Sequence, residues 1–77
     1  MSQIWSSTIC NLQVAIGNFV RLQDKTGSAH YGKITEIEEN MRNTQMIVTI
    51  KVKTGWIRFE ENDITNLEIL KSLPKGY

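Results

Sequence analysis

Apolar and polar residues alternate with a period of two through much of this chain, and this is the pattern of half-buried β-strands. The clearest stretch is residues 46–54, where one face carries Met46, Val48, Ile50 and Val52. The same alternation predicts strands over residues 19–23, 30–38 and 56–60, and a short last strand over residues 67–70. No stretch has the 3.6-residue period of a long amphipathic helix. The chain is therefore predicted to be all-β.

Residues that favour tight turns stand between the predicted strands. Glycine, asparagine, aspartate and serine tolerate positive φ angles or cap a turn with a side-chain hydrogen bond. They occur at Gly17-Asn18, residues 24–28, residues 40–43, Thr54-Gly55 and Asn62-Asp63. Thr54-Gly55 is predicted to be a hairpin turn, which makes its flanking strands antiparallel neighbours. Asn62-Asp63 is predicted to begin a single helical turn before the last strand.

Five short strands bury their apolar faces only when the sheet curls, so the pattern predicts a small closed or nearly closed barrel. The rival is an OB-type barrel, for which this chain is short. We predict the barrel over residues 17–71 and a flexible tail over residues 72–77. Residues 1–16 are ambiguous, because the segment from Cys10 to Ile16 alternates like a strand whereas Ser6-Ser7-Thr8 resembles a helix cap. We predict an extended N-terminal arm or an extra strand there.

Composition and charge narrow the class of protein. The 77 residues make one domain, with the 40% hydrophobic and 22% charged content of an ordinary globular chain. A domain of this size has little room for a deep catalytic cleft. The formal net charge is +1, so the molecule as a whole exerts no strong attraction on polyanions. The chain has a single cysteine and no signal-peptide pattern, which predicts a cytoplasmic protein. It has no apolar segment long enough to cross a membrane, so no membrane association is predicted.

Residues with catalytic or metal-binding chemistry form no motif that we recognise, so we predict no enzyme activity, no cofactor and no metal. Cys10 has no activating neighbour in the sequence and is expected to be a small buried hydrophobe. His30 has no nucleophile or paired carboxylate near it in the sequence, which favours a satisfied loop histidine. Glu36, Glu38 and Glu39 lack the spacing of a calcium-binding loop.

A glycine–asparagine turn leads into a valine–arginine strand in the run Gly17-Asn18-Phe19-Val20-Arg21-Leu22. After Gly27 comes the run Tyr31-Gly32-Lys33-Ile34-Thr35-Glu36-Ile37. This order resembles the start of KOW-type and related SH3-like barrels, and residues 57–69 resemble their ending. The resemblance implies a small five-stranded SH3-like barrel with a short 3-10 turn before the last strand. Such barrels occur in ribosomal, transcription, photosynthetic, chromatin and phage proteins, so the resemblance leaves the function open.

One enzyme family of this fold shares a local similarity with the chain. Residues 25–34 are similar to the matching stretch of the plasmid-borne type II dihydrofolate reductases. Those enzymes are tetramers whose pore chemistry depends on a Val-Gln-Ile-Tyr motif in the fourth strand. This chain has Ile57-Arg58-Phe59-Glu60 there, so Arg58 and Glu60 replace the glutamine and tyrosine. Reductase activity is therefore not predicted.

Basic and aromatic residues fall on the outward face of the predicted strands. The candidate partner-binding residues are Arg21, Tyr31, Lys33, Lys51, Lys53, Trp56 and Arg58. An aromatic patch with basic neighbours suits an interface with an acidic protein, as in an adaptor, an inhibitor or a subunit of a larger complex, including one encoded by a phage or mobile element. The same mixture suits RNA or DNA, because cations neutralise phosphates and rings stack on bases.

Two further interpretations of these surface residues stay open at this point. In the first, Phe19 and Tyr31 edge the core, Trp56 packs under the N-terminal arm and the lysines are ordinary charges on edge strands. In the second, the chain is a homo-oligomer. The exposed apolar residues that such self-association would cover are Ile4, Trp5 and Leu73.

Overall fold

Residues 2–77, which the computed structural model describes, form short β-strands and one turn of 3-10 helix. The strands are β1 (Ser2–Gln3), β2 (Ser6–Ile9), β3 (Leu12–Ala15), β4 (Phe19–Asp24), β5 (Ala29–Asn40), β6 (Gln45–Val52), β7 (Gly55–Glu60) and β8 (Ile64–Leu70). The 3-10 turn is Glu61–Asp63, between β7 and β8. The predicted all-β class and the helical turn before the last strand are confirmed. None of the described helical structure has the length and apolar character needed to cross a membrane.

Five of the strands make an antiparallel sheet in the order β7-β6-β5-β4-β8. Strands β4 to β7 follow one another along the chain, and β8 returns to pair with β4. The two-residue β1 pairs with the far end of β5. Within residues 2–77, the outer strands β7 and β8 do not pair with each other. The predicted five strands are confirmed, but the continuous ring of hydrogen bonds that defines a closed barrel is not formed.

Strand β5 has 12 residues, and it pairs with different strands along its length. The register with β6 shifts between Ile34 and Glu36. Before this point β5 pairs with β4, and beyond it β5 pairs with β1. A β-bulge of this kind bends its strand and inserts one residue into the alternation. Ile34 and Ile37 are consequently both fully buried although they stand three residues apart.

Gly32 on β5 lies where the backbone of β6 is too close for any side chain. A Cβ atom at this position would lie 2.5 Å from the carbonyl oxygen of Lys51 and 3.2 Å from Cγ1 of Val52. The sheet curls strongly enough that His30 on β5 contacts Phe59 on β7, with ring centroids 5.1 Å apart. These two strands are separated by β6, so the contact is made across the concave face.

The segment before β4 differs from the predicted arm or single extra strand, because β2 and β3 form a hairpin. Its two turn residues, Cys10 and Asn11, have φ angles of 53° and 63°. Positive φ at both central residues is the type I′ geometry that matches the twist of paired strands. Ile9 and Val14 from this hairpin are buried in the same core as the concave face of the sheet. The hairpin therefore covers the open side of the curled sheet as a second layer.

The core lies between the concave face of the sheet and the hairpin. Its sheet residues are Val20, Leu22, Ile34, Ile37, Val48, Ile50, Phe59, Ile64 and Leu67. Burial of each such side chain stabilises the fold by about 1.5–3 kcal/mol relative to exposure. Because most of the apolar side chains lie in this core, the convex face of the sheet carries mainly polar and aromatic residues.

Candidate partner-binding face

Cross-strand pairing brings four residues of the convex face into one row. Phe19 on β4 is opposite Lys33 on β5, and Lys33 is opposite Lys51 on β6. Lys51 is in turn opposite Trp56 on β7. Directly opposed residues point to the same face, with Cβ atoms about 5 Å apart. We refer to Phe19, Lys33, Lys51 and Trp56 as the basic row.

The outer part of the basic row is open to solvent. Trp56 is 66% exposed, which contradicts the interpretation that it packs under the N-terminal segment. Lys33 and Lys51 are exposed as well, whereas Phe19 is half-buried. The Lys51 ammonium lies 5.5 Å from the centroid of the Trp56 ring, within the range of a cation–π interaction. The row thus presents a large apolar ring with a cation held against it.

Lys33 and Lys51 are like charges placed directly opposite each other. Neither ammonium lies within ion-pair distance of a carboxylate in the described part of the chain. Like charges in directly opposed positions destabilise a sheet. Lysines on outer strands are explained by protection of an exposed edge, but β5 and β6 are interior strands of this sheet. The edge-strand interpretation therefore does not account for this pair.

Arg21 and Tyr31 form a second opposed pair beside the basic row. On its other side Arg21 is opposite Glu68 of β8, so a carboxylate faces its charge across the strands. The ring of Tyr31 contacts the ring of Tyr77, with centroids 5.0 Å apart. Both predicted residues lie on the convex face, and both are half-buried.

Lys53 lies at the end of the sheet rather than within a strand. Val52 and Gly55 are opposed in the register of β6 and β7, so the two turn residues are Lys53 and Thr54. The predicted turn at Thr54-Gly55 is displaced by one residue, because Gly55, with φ 147°, already pairs as the first residue of β7. Lys53 is exposed at this turn.

Arg58 has a partner within the chain. Its Nη2 atom donates to Oε2 of Glu38 at 3.3 Å, and the bridge spans β6 from β7 to β5. The β6 residues opposite this pair are Thr49 and Ile47, which are 7% and 6% exposed although they lie on the convex face. Strand β6 is therefore buried on both faces here, not on one as its alternation predicts. Arg58 contributes to covering this strand and is separate from the unpaired charges of the basic row.

A cavity of about 280 Å³ opens at the end of the sheet where β5 begins and β6 ends. Its lining residues are Ala29, His30, Tyr31, Val52, Lys53, Thr54, Ile57 and Tyr77. Tyr31 and Lys53 were predicted as partner-binding residues and line this cavity. Of the other predicted residues, Lys33, Lys51 and Trp56 lie in the basic row, and Arg21 and Arg58 belong to neither group.

The histidine of the cavity is held by Asp24. His30 Nε2 lies 2.8 Å from Oδ2 of Asp24, while Oδ1 of Asp24 accepts hydrogen bonds from the hydroxyl and amide of Thr26 and from the amide of Ser28. The Thr26 hydroxyl bond, followed by the His30 bond, lowers the pKa of Asp24 from 3.8 to about 2. His30 itself lies in β5 and not in a loop.

Asp24 was not among the predicted site residues. A signal for it exists in the sequence, because Asp24-Lys25-Thr26 followed by Ser28 has the residue types of a turn in which the aspartate caps the backbone two residues on. What the sequence does not show is that His30, six positions away, returns along the paired strand to reach the same carboxylate.

The thiol of Cys10 is half-buried at the turn between β2 and β3. Burial, and secondarily the carboxylate of Glu61, raise the pKa of the Cys10 thiol. Its Sγ atom lies 3.7 Å from the carbonyl oxygen of Ile64, to which the thiol donates. Within residues 2–77, no group of three or more histidine, cysteine, aspartate and glutamate side chains is placed to hold a metal ion.

No family model, curated protein or solved structure matches this chain. Its function is therefore inferred from its own residues.

Proposed function

We propose that this protein is a small non-enzymatic binding module that recognises an acidic surface of a partner protein through the basic row. Such a module serves as an adaptor, an inhibitor or a subunit of a larger complex. The observation that carries the proposal is the directly opposed pair Lys33 and Lys51, which has no carboxylate within ion-pair distance in the described residues. A carboxylate of the partner would relieve the repulsion between the two ammonium groups.

Trp56 supplies the apolar component of this interface. Tryptophan is enriched among the residues that contribute most of the binding free energy at protein interfaces. A tryptophan that is 66% exposed in the free chain has a large apolar area left to bury. Because Lys51 lies against its ring, one contact region combines apolar burial with positive charge.

The fold supports a binding role by analogy. The final strand β8 returns to pair with β4, the first strand of the meander, and this order suits an SH3-like barrel left open between β7 and β8. We propose that the chain is a member of that fold class, in which binding at the sheet surface recurs. Fold analogy alone does not assign a partner, so the residues of the basic row carry the assignment.

A nucleic acid is the alternative partner, and the ring contacts favour a protein over it. Base stacking needs free ring faces. One face of Trp56 is engaged by the Lys51 ammonium. The most exposed ring of the basic row is thus already occupied on one face.

The proposal is tested by crosslinking the tagged protein in its native host and identifying the captured proteins by mass spectrometry. The wild type is compared with Trp56→Ala and Lys51→Glu, each first shown to be folded by circular dichroism. Arg42→Glu is the matched control, because Arg42 is exposed in the turn between β5 and β6, at the opposite end of β6 from Lys51. We expect one acidic partner to be retained by the wild type and the control and lost from both variants of the row.

Two outcomes would overturn this assignment. One is a capture profile that is the same for the wild type and both variants of the row. The other is capture that disappears after nuclease treatment and falls steeply with salt, which would assign the row to nucleic acid.

A further inference from the structure

The cavity beside His30 resembles a ligand pocket, and none of the residues of the basic row lines it. Its volume of about 280 Å³ lies near the lower end of the range of small-molecule sites. It is built from β5 on one side and from the end of β6, the following turn and β7 on the other. A site of this size suits a ligand with a single ring or two fused rings.

The walls of the cavity favour a planar aromatic ligand. Val52 and Ile57 provide aliphatic surface, and Tyr31 and Tyr77 provide rings. The two tyrosine rings are tilted by 43° with centroids 5.0 Å apart, so the Tyr31 ring already accepts an aromatic neighbour from the tail of the chain. Aromatic rings prefer offset or tilted contacts at such distances. A flat ligand ring would therefore find matching surface on these walls.

The polar groups of the cavity favour a negative charge on that ligand. Lys53 and Thr54, which carry an ammonium and a hydroxyl group, line the cavity, and both residues are exposed. The carboxylate of Asp24, which is bonded to His30 of the lining, already accepts four hydrogen bonds. The positive charge of Lys53 lies within ion-pair distance of no carboxylate in the described residues. This ammonium would repel a cationic ligand, whereas it would form an ion pair with an anionic one.

The bond to Asp24 fixes Nε2 of the His30 imidazole as a hydrogen-bond donor. Because Asp24 is ionised, it accepts from Nε2, and this leaves Nδ1 as the imidazole nitrogen without a partner in the described residues. His30 is additionally held by the ring of Phe59. The wall that it forms is thus oriented before any ligand arrives.

We propose that this cavity binds a small planar aromatic carboxylate, with the ring against Tyr31 and Tyr77 and the carboxylate at Lys53 and Thr54. The site is independent of the proposed function, because Phe19, Lys33, Lys51 and Trp56 are not among the residues that line it. It gives the molecule a second specificity, for a small metabolite-sized anion rather than for a macromolecular surface.

The test is a titration of the ¹⁵N-labelled full chain with benzoate, followed by amide NMR shifts. Two further probes separate the features of the ligand: benzamide keeps the planar shape without the charge, and cyclohexanecarboxylate keeps the charge without the planar ring. We expect benzoate to shift the amides of His30, Tyr31, Thr54 and Tyr77, with a dissociation constant of about 1 mM, which corresponds to about 4 kcal/mol. Both other probes are expected to bind more weakly.

Matched variants check that the shifts report this cavity. Lys53→Gln should weaken benzoate binding by about threefold, as expected for loss of an exposed ion pair, and leave benzamide binding unchanged. Lys71→Gln removes the same charge away from the cavity and should have no effect. Tyr77→Leu keeps an apolar side chain and should weaken binding of benzoate more than that of cyclohexanecarboxylate.

The proposal is overturned by shifts that scatter over the surface, by equal binding of benzoate and cyclohexanecarboxylate, or by equal effects of the two lysine substitutions. Because the titration needs no protein partner, its outcome is separate from that of the capture experiment. If the ligand proposed for the cavity is disproved, the function proposed for the basic row is unaffected, and the reverse also holds.

Discussion

The carboxylate of Asp24 holds the turn that leads from β4 into β5. Its two oxygens accept hydrogen bonds from Thr26, Ser28 and His30, and these bonds stabilise the ionised form in the folded state. The pKa of Asp24 is accordingly lowered from 3.8 to about 2. A carboxylate whose pKa is lower in the folded than in the unfolded state binds its proton less readily when folded. Its contribution to stability is present above pH 4 and is lost as the pH falls toward 2.

We predict that Asp24→Asn lowers the free energy of unfolding at neutral pH, and that the difference from the wild type narrows between pH 4 and pH 2. Urea unfolding at a series of pH values measures this difference. Asp63→Asn is the control, because its carboxylate makes one exposed contact with Lys25 at 3.3 Å. A difference between wild type and Asp24→Asn that stays constant across this pH range would contradict the prediction.

At the level of single residues, the sequence predicts which side chains face outward but not which ones meet. Alternation places Lys33, Lys51 and Trp56 outside, and the structure agrees. That these three are directly opposed depends on the strand register, which the turn residues and the bulge in β5 determine. Arg58 belongs to the same outward set, yet it pairs with Glu38, twenty positions away in the chain. Local pattern carries no information on such a distant partner.

Among the elements, the β2–β3 hairpin depends on an unusual turn. Cys10 and Asn11 both adopt positive φ, a conformation that glycine and asparagine tolerate and most other residues do not. The Cys10 side chain packs against the core and bonds to the Ile64 carbonyl, contacts that help to hold this turn in place. Neither contact can be predicted from the sequence. The alternation of residues 10–16 therefore predicts an extended segment, whereas the chain reverses direction at Cys10 and Asn11.

We predict that Asn11→Val lowers the free energy of unfolding by about 1–2 kcal/mol, because a β-branched residue is strongly disfavoured at positive φ. Thermal and urea unfolding measure the loss. Ser6→Val introduces the same side chain at an exposed position of β2 and should change stability by less than about 0.5 kcal/mol. Equal effects of the two substitutions would show that the turn conformation is not what limits the hairpin.

For the molecule as a whole, the concave and convex faces of the sheet have different roles. The concave face and the hairpin supply the buried apolar core. The convex face carries an arrangement that lowers stability, since Lys33 and Lys51 repel each other across two interior strands. A destabilising arrangement away from the core is expected where a surface is adapted to a partner rather than to folding. Stability and binding should therefore respond in opposite directions to one substitution in this pair.

Lys33→Glu is that substitution. It replaces a like-charged pair with an opposite-charged pair and leaves both Lys51 and Trp56 unsubstituted. We predict that it raises the free energy of unfolding by about 0.2–1 kcal/mol at low salt, that added salt reduces this gain, and that the variant no longer captures the acidic partner. Arg42→Glu makes the same change of charge in the turn between β5 and β6, away from the row, and should leave both properties unchanged. If Lys33→Glu instead destabilised the chain, or gained stability and still captured the partner, the repulsion between the two lysines would not be what the partner relieves.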